Sequence, residues 1–182
     1  MTAYGWHFLY EGSKLRTGDK APEDGVWLTT DKARICKSGL HGSKHPFDAL
    51  QYAPGPILCL CEFGEIVEEH HDKFVSKSRR IIARMEATEM LRYFARMQAL
   101  IVVHAFDAPD AVLDYLMTGR GRSAAASAAA SAAASARSAA WSARSAASSA
   151  RSAAASSAAW KEFAELVYEC FEGPLNSIGG KP

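Results

Sequence analysis

Large apolar residues along the chain fall in short blocks separated by glycine, proline and charge. Trp6 to Tyr10 is aromatic-rich and predicts a strand. Gly12 to Gly25 is polar and carries Gly18, Pro22 and an acidic pair, which predicts a surface loop or a pair of turns. Val26-Trp27-Leu28 predicts a second short strand, and Thr29 or Thr30 is placed to cap a single helical turn through Asp31, Lys32 and Ala33. The most ordered stretch runs from Gly39 to Gly64. Gly39 and Gly42 bracket Leu40-His41 and permit a tight backbone path. Pro46 suits the first turn of a helix, with Phe47, Leu50 and Tyr52 on its apolar side. Pro54-Gly55-Pro56 ends that helix. Ile57 to Phe63 is almost wholly apolar, as in a strand buried on both faces, and Gly64 closes it.

Beyond it the blocks lengthen. Glu65 to Asp72 is dominated by acids and histidines and predicts a solvated loop. Lys73 to Ile82 predicts a strand with Arg79 and Arg80 at its basic end. Thr88 is an N-cap candidate for a helix with Leu91, Phe94, Ala95 and Gln98 at helical spacing. The β-branched run within 100–106 predicts a final strand. Asp107 then caps a helix with Pro109 in its first turn, and Gly119 ends it. Ser123 to Ala159 is nearly all alanine and serine, free of glycine and proline, and predicts a helix of about 55 Å. From Ser135 its serines alternate steps of three and four, and Arg137, Arg144 and Arg151 step by seven, so small residues form a heptad stripe beside an arginine ridge. Such a stripe allows close helix–helix approach, with Trp141 and Trp160 as anchors. Trp160 to Phe171 predicts an amphipathic helix with an acidic polar side, stopped by Gly173-Pro174, and the last eight residues read as a loose tail.

The fold expected is therefore α+β: a small mixed or antiparallel sheet with short helices, then a long Ala/Ser-rich helix and an amphipathic C-terminal helix. The expected divisions are a globular domain over 1–119, a helical extension over 120–159, an amphipathic helix over 160–174 and a tail over 175–182.

Charge and composition narrow the chemistry. A formal net charge of +1 over 182 residues argues against a strongly basic nucleic-acid binder, and the acidic face of the C-terminal helix argues against a membrane surface. There is no apolar run of the length that spans a bilayer and no basic-then-apolar leader, so a cytoplasmic protein is expected. Of the four cysteines, Cys59 and Cys61 point to one face of a strand and are expected as buried, reduced thiols, because one CxC without a second pair is a weak metal signal. His70, His71, Glu68 and Glu69 lack metal-ligand spacing, and no metal is expected.

The turn, helix, Pro-Gly and strand of GLHGSKHPFDALQYAPGPILCLCEFG, with FLYEGS upstream, are similar to the middle of ADP-ribosyltransferase-type domains. The resemblance implies half of an NAD pocket, with NAD or an ADP-ribose-like nucleotide as ligand and no certain cofactor. The pocket residues it points to are Tyr10, Glu11, Gly12, Gly39, His41 and Tyr52, with Arg79 and Arg80 within reach of a ligand phosphate. The family carries His where this chain has Glu11, and no carboxylate after Val75 matches its catalytic Glu. The 1–119 region also resembles an uncharacterised domain of phage and prophage proteins with Ala-rich tails. Together these imply a non-catalytic phage-type binding protein in the host cytoplasm. It would sequester a nucleotide-like ligand or inhibit a host defence factor, while the small-residue stripe and the C-terminal apolar face point to a homo-oligomer through 123–172. Two alternatives stand beside it. One is an active NAD-dependent transferase using Glu11 and Glu62 (or Glu65). The other is a structural protein working through the Ala/Ser helix.

Overall fold

The computed structural model describes residues 2–103, 107–136 and 158–182. They group into two compact units. The first combines Met1–Thr88 with Glu162–Pro182, and the second spans Glu89–Lys161.

The first unit is a five-stranded antiparallel sheet. Its strands are β1 (Thr2–Leu9), β2 (Trp27–Thr29), β3 (Leu40–Gly42), β4 (Ile57–Glu69) and β5 (Phe74–Glu86), and α1 (Pro46–Leu50) lies between β3 and β4. The order is β1-β4-β5-β2, with β3 also on β5. β2 pairs with Arg80, Arg79 and Ser78, and β3 with Ser76, Val75 and Phe74, so two short strands share one edge of β5. The chain then closes on itself. Ser43, just after β3, exchanges two backbone hydrogen bonds with Trp6 of β1, at 2.7 and 3.0 Å. The sheet therefore runs β1-β4-β5-β3 and back to β1. That closure needs glycine. A Cβ on Gly42 would lie 2.3 Å from the ζ carbon of Phe63, and one on Gly5 would lie 2.8 Å from the Ser43 carbonyl oxygen. Phe63 and Phe74 fill the space so made, edge to face at 4.7 Å.

Apolar side chains cover both faces of this sheet. Leu9, Ile57, Cys59, Cys61, Phe63 and Ile81 form one buried cluster. Trp6 is fully buried on the other side, edge-on to Phe171 at 5.2 Å and near Tyr168 at 6.0 Å. These two belong to the C-terminal segment, where a helix described over 158–170 (α5) precedes α6 (Glu172–Ser177). Phe47 of α1 meets Phe163 at 5.8 Å, and Phe163 and Val167 are inaccessible to water. The amphipathic face expected at Trp160–Phe171 is thus buried within its own unit from Phe163 to Phe171.

In the second unit, α2 (Thr88–Val102) begins at the boundary, and α3 (Asp110–Thr118) and α4 (Arg122–Ala136) follow. Gly119 ends α3 at φ 76°, as its sequence position predicts. Arg96 of α2 donates to the Leu116 carbonyl of α3 at 3.3 Å. The alanine/serine tract is helical through Ala136. The serine stripe beyond it, the arginine ridge and Trp141 lie outside the described residues.

The mixed α+β class and the antiparallel sheet match expectation, and several local expectations do not. Residues 65–69 continue β4 instead of looping out, because β5 supplies a ladder partner as far as Glu69. Residues 100–102 extend α2 despite their β-branched run, since the amphipathic period of the helix outweighs a small propensity penalty. Residues 31–33 form no helical turn. The Thr30 hydroxyl accepts from the Lys32 N–H at 3.3 Å and holds an open turn. Pro109, not Asp107, is the N-cap of α3. Gly173-Pro174 does not end helical structure either: Pro174 sits in the first turn of α6, where its missing N–H is harmless, and Leu175 is buried.

Candidate functional site

Within the first unit the closed sheet and its loops surround a cavity of about 970 Å³. β1 contributes His7, β3 contributes His41, and β5 contributes Arg79. Lys14 and Arg16 come from the loop after β1, and Lys73 from the turn between β4 and β5. Lys37 brings the cations in the lining to five, against one acid, Asp19. The wall is therefore strongly electropositive in a chain that is close to neutral overall.

Arg79 is the unusual member. It is 4% exposed, and its Nη1 donates to the His41 carbonyl at 3.3 Å. Among the described residues no carboxylate pairs with it; the His41 carbonyl is the acceptor it reaches, and none of its nitrogens is both sealed from solvent and unpartnered. Burial pulls its pKa below the usual arginine value, while the nearby Cys61 and Cys59 sulfurs oppose that. Its sequence neighbour has the opposite fate. Arg80 donates through Nε to Glu62 at 2.7 Å, approaches it through Nη2 at 2.5 Å, and lies over the Trp27 ring at 5.1 Å. Successive residues of a strand face opposite sides, so one arginine is neutralised and the other is left facing the cavity.

The two histidines are held neutral. His7 lies half-buried at the cavity wall, and its pKa falls well below the usual histidine value through burial first, then the Arg79 charge and His41; a hydrogen bond to the His41 backbone pulls the other way. His41 is lowered by burial and by Lys73, Arg79 and Arg16, against a hydrogen bond to the Gly39 backbone. Three cations thus act on one imidazole. The Nε2 atom of His41 accepts the Cys36 N–H at 3.1 Å, which assigns the ring proton to Nδ1.

At the rim, the Tyr52 hydroxyl donates to Asp72, and Lys73 Nζ stands 4.2 Å from the Tyr52 ring centroid. The same tyrosine bond holds the Asp72 carboxyl below its usual range. Cys36 has φ 60°, a backbone conformation rare for a residue with a side chain. Cys59 and Cys61 are buried free thiols on the sheet beneath, as their spacing implied. The Cys59 thiol is pushed up by its hydrogen bond to Cys61 and by burial.

Of the residues the sequence nominated, Tyr10, Gly39, His41, Tyr52 and Arg79 line this one cavity. Glu11, Gly12 and Arg80 lie outside its lining, and so does Glu62, the second carboxylate of the enzyme alternative, which is occupied by Arg80. Sequence reasoning passed over His7, Lys14, Arg16 and Lys73. His7 sits between Trp6 and Phe8 and resembles core. Its one signal is register: it stands opposite Cys59, on the face that carries the cavity. Groups of His, Cys, Asp and Glu with metal-binding geometry are absent among the described residues. No helix among them is long and apolar enough to cross a membrane.

Neither the curated proteins nor the solved structures provide a match. Residues 16–93, from the loop after β1 to the first turns of α2, match the model of a family described as a domain of unknown function (DUF7666).

Proposed function

We propose that the first unit is a non-catalytic binding module for an anionic, nucleotide-like small molecule, which it holds in the cavity beside Arg79. The observation that carries this is the buried guanidinium without a carboxylate. A cation drawn out of most of its water without a carboxylate is expensive, and chains retain one where a ligand supplies the missing charge. The five-to-one excess of cations in the lining supports the same sign of ligand, and Tyr10 and Tyr52 add ring surface at the mouth. The resemblance to ADP-ribosyltransferase-type pockets is what narrows the anion to a nucleotide. The absence of Glu11 and Glu62 from the lining favours binding over transfer chemistry, because an oxocarbenium-like transition state needs a carboxylate beside the ribose.

Titration calorimetry with AMP, ADP-ribose and NAD tests this, together with an assay for released nicotinamide. At least one nucleotide is expected to bind unaltered, and Arg79→Met to weaken it about 10- to 100-fold, the loss of a charge-assisted hydrogen bond. Binding unaffected by Arg79→Met would remove the reading, as would no binding at all. Released nicotinamide would replace it with the enzyme alternative.

A further inference from the structure

The hydrogen bond between the Cys36 N–H and His41 Nε2 ties the cavity to the turn that forms part of its wall. The turn is built on Arg34, whose carbonyl accepts from Lys37 and Ser38 at 3.0 Å each and whose N–H donates to Ser38 at 2.9 Å. Cys36, Lys37 and Ser38 all line the cavity. At its apex Cys36 holds a left-handed φ of 60° without being glycine. Such a conformation persists where neighbours over-determine it. The imidazole acceptor at 3.1 Å is one of those neighbours, and it is an acceptor only while Nε2 carries no proton.

We propose that His41 is a proton-operated latch: an anion in the cavity draws a proton from solvent onto Nε2, which sets two N–H groups against each other and releases the turn over 34–38. The proposal rests on the cavity being an anion site. Its physical basis is the charge around the ring. From the loop after β1 come Arg16 and Lys14, with Asp19 as the acid there. β1 presents His7, itself kept neutral by burial and by Arg79. β5 and the turn before it present Arg79 and Lys73. From β4, Glu68 is engaged by the Ile35 N–H at 3.2 Å and by His70 at 3.5 Å, and from the turn after it Asp72 is engaged by Tyr52. From the turn that precedes β3 come Lys37 and the Cys36 thiol.

With the cavity empty, the cations disfavour an imidazolium. An anion bound among Arg16, Lys73 and Arg79 cancels that field and favours it. Anion and proton then bind cooperatively, and linkage makes the effect reciprocal. Anion affinity rises as pH falls, by up to about tenfold per pH unit between the higher His41 pKa of the bound state and the lower one of the free state. A released turn also removes part of the wall, so the same proton that strengthens charge pairing opens the cavity on the side of Cys36.

Sulfate is a suitable probe because it takes up no proton near neutral pH. Calorimetry in two buffers of different ionisation heat counts protons. Uptake approaching about one proton per sulfate is expected for the wild type and for His7→Gln, and almost none for His41→Gln, whose amide oxygen still accepts from Cys36. In the wild-type protein the Cys36 amide resonance should shift, and its hydrogen exchange quicken, with the same pH midpoint as the His41 ring. Sulfate binding without proton uptake, or uptake abolished by His7→Gln instead, overturns the latch and leaves the anion site standing. Absence of sulfate binding with a Cys36 amide that still follows His41 removes the anion site and its coupling but leaves the proton-sensitive turn. A Cys36 amide indifferent to His41 titration refutes the latch whatever sulfate does.

Discussion

Replacing a buried arginine normally destabilises a protein, and here the opposite sign is expected. Arg79 is 4% exposed, has one protein acceptor and faces no carboxylate among the described residues. Withdrawing a cation from water leaves an effective penalty of several kcal/mol. The hydrogen bond to the His41 carbonyl offsets about 1.5–3 kcal/mol of that. Arg79→Met removes both, keeps a long apolar stem opposite Phe63, and leaves the His41 carbonyl with its bond to His7. The net expectation is a gain of about 1–2 kcal/mol, or roughly 5–10 °C in the melting temperature of a domain of this size. Urea denaturation in chloride buffer without sulfate or phosphate is the appropriate assay, because guanidinium chloride would screen the charges at issue. Adding millimolar sulfate should then stabilise the wild type more than Arg79→Met, so the gap narrows. A variant less stable than wild type by about 1 kcal/mol or more would show that the guanidinium is a structural part of the sheet, and the case for a ligand anion beside it would collapse.

Other sites give expectations of either sign. Gly42→Ala places a Cβ 2.3 Å from the Phe63 ring, and a loss of about 3 kcal/mol or more by urea denaturation follows from that overlap. Gly173→Ala, in α6 with no heavy atom within 4 Å of the added carbon, should instead gain about 0.5–1 kcal/mol. Glu62→Gln leaves Arg80 without its charge partner and should lose about 2 kcal/mol of stability, with AMP affinity unchanged within about twofold; a large affinity loss would return Glu62 to the site. His45 caps α1 by accepting the Phe47 N–H at 3.2 Å through Nδ1, and burial pulls its pKa from 6.5 to about 4. Its folded pKa is the lower one, so its contribution is intact above pH 6.5 and is lost as pH falls toward 4, while the unfolded chain takes up the proton. The site is partly exposed, which limits the effect to about 1 kcal/mol. His45→Asn, which caps without titrating, should reduce the fall of the urea midpoint over that pH range by about that amount, the remainder coming from His7 and His41.

The central stretch was legible because its punctuation is local. Pro46 starts a helix, Gly39 and Gly42 permit close approach, and the apolar run from Ile57 is a buried strand. Where partners across the sheet decide, the sequence was silent. Glu65 to Glu69 read as solvated because its residues are charged, yet pairing with β5 extends the strand through them. Arg79 and Arg80 are chemically identical neighbours, and which of them faces the cavity depends on the register of β4, which shifts between Leu60 and Cys61. The same limit hid His7, whose aromatic neighbours face the opposite side of the sheet. Lys14, Arg16 and Lys73 are separated from His41 by long stretches of chain, and folding alone gathers them. Pro174 misled for a different reason: it forbids a helix interior but suits a first turn, and composition does not distinguish the two.

The seam between Ser43 and Trp6 bears on how the site assembles and opens. It is a ladder one residue pair wide, whereas β1 and β4 pair over the whole of β1. His7 follows Trp6 directly, and His41 lies two residues before Ser43, so the two imidazoles stand on opposite lips of the seam. β1 and β3 are far apart in the chain and are bridged through β4 and β5, so the seam is expected to form late in folding. It is also the least expensive place to part the sheet, since two hydrogen bonds break while the long hairpin of β4 and β5 stays intact. Breathing at this seam would separate His7 from the His41 backbone and widen the cavity between them. A guest larger than the resting mouth thus has a route inward that leaves the core of the unit folded.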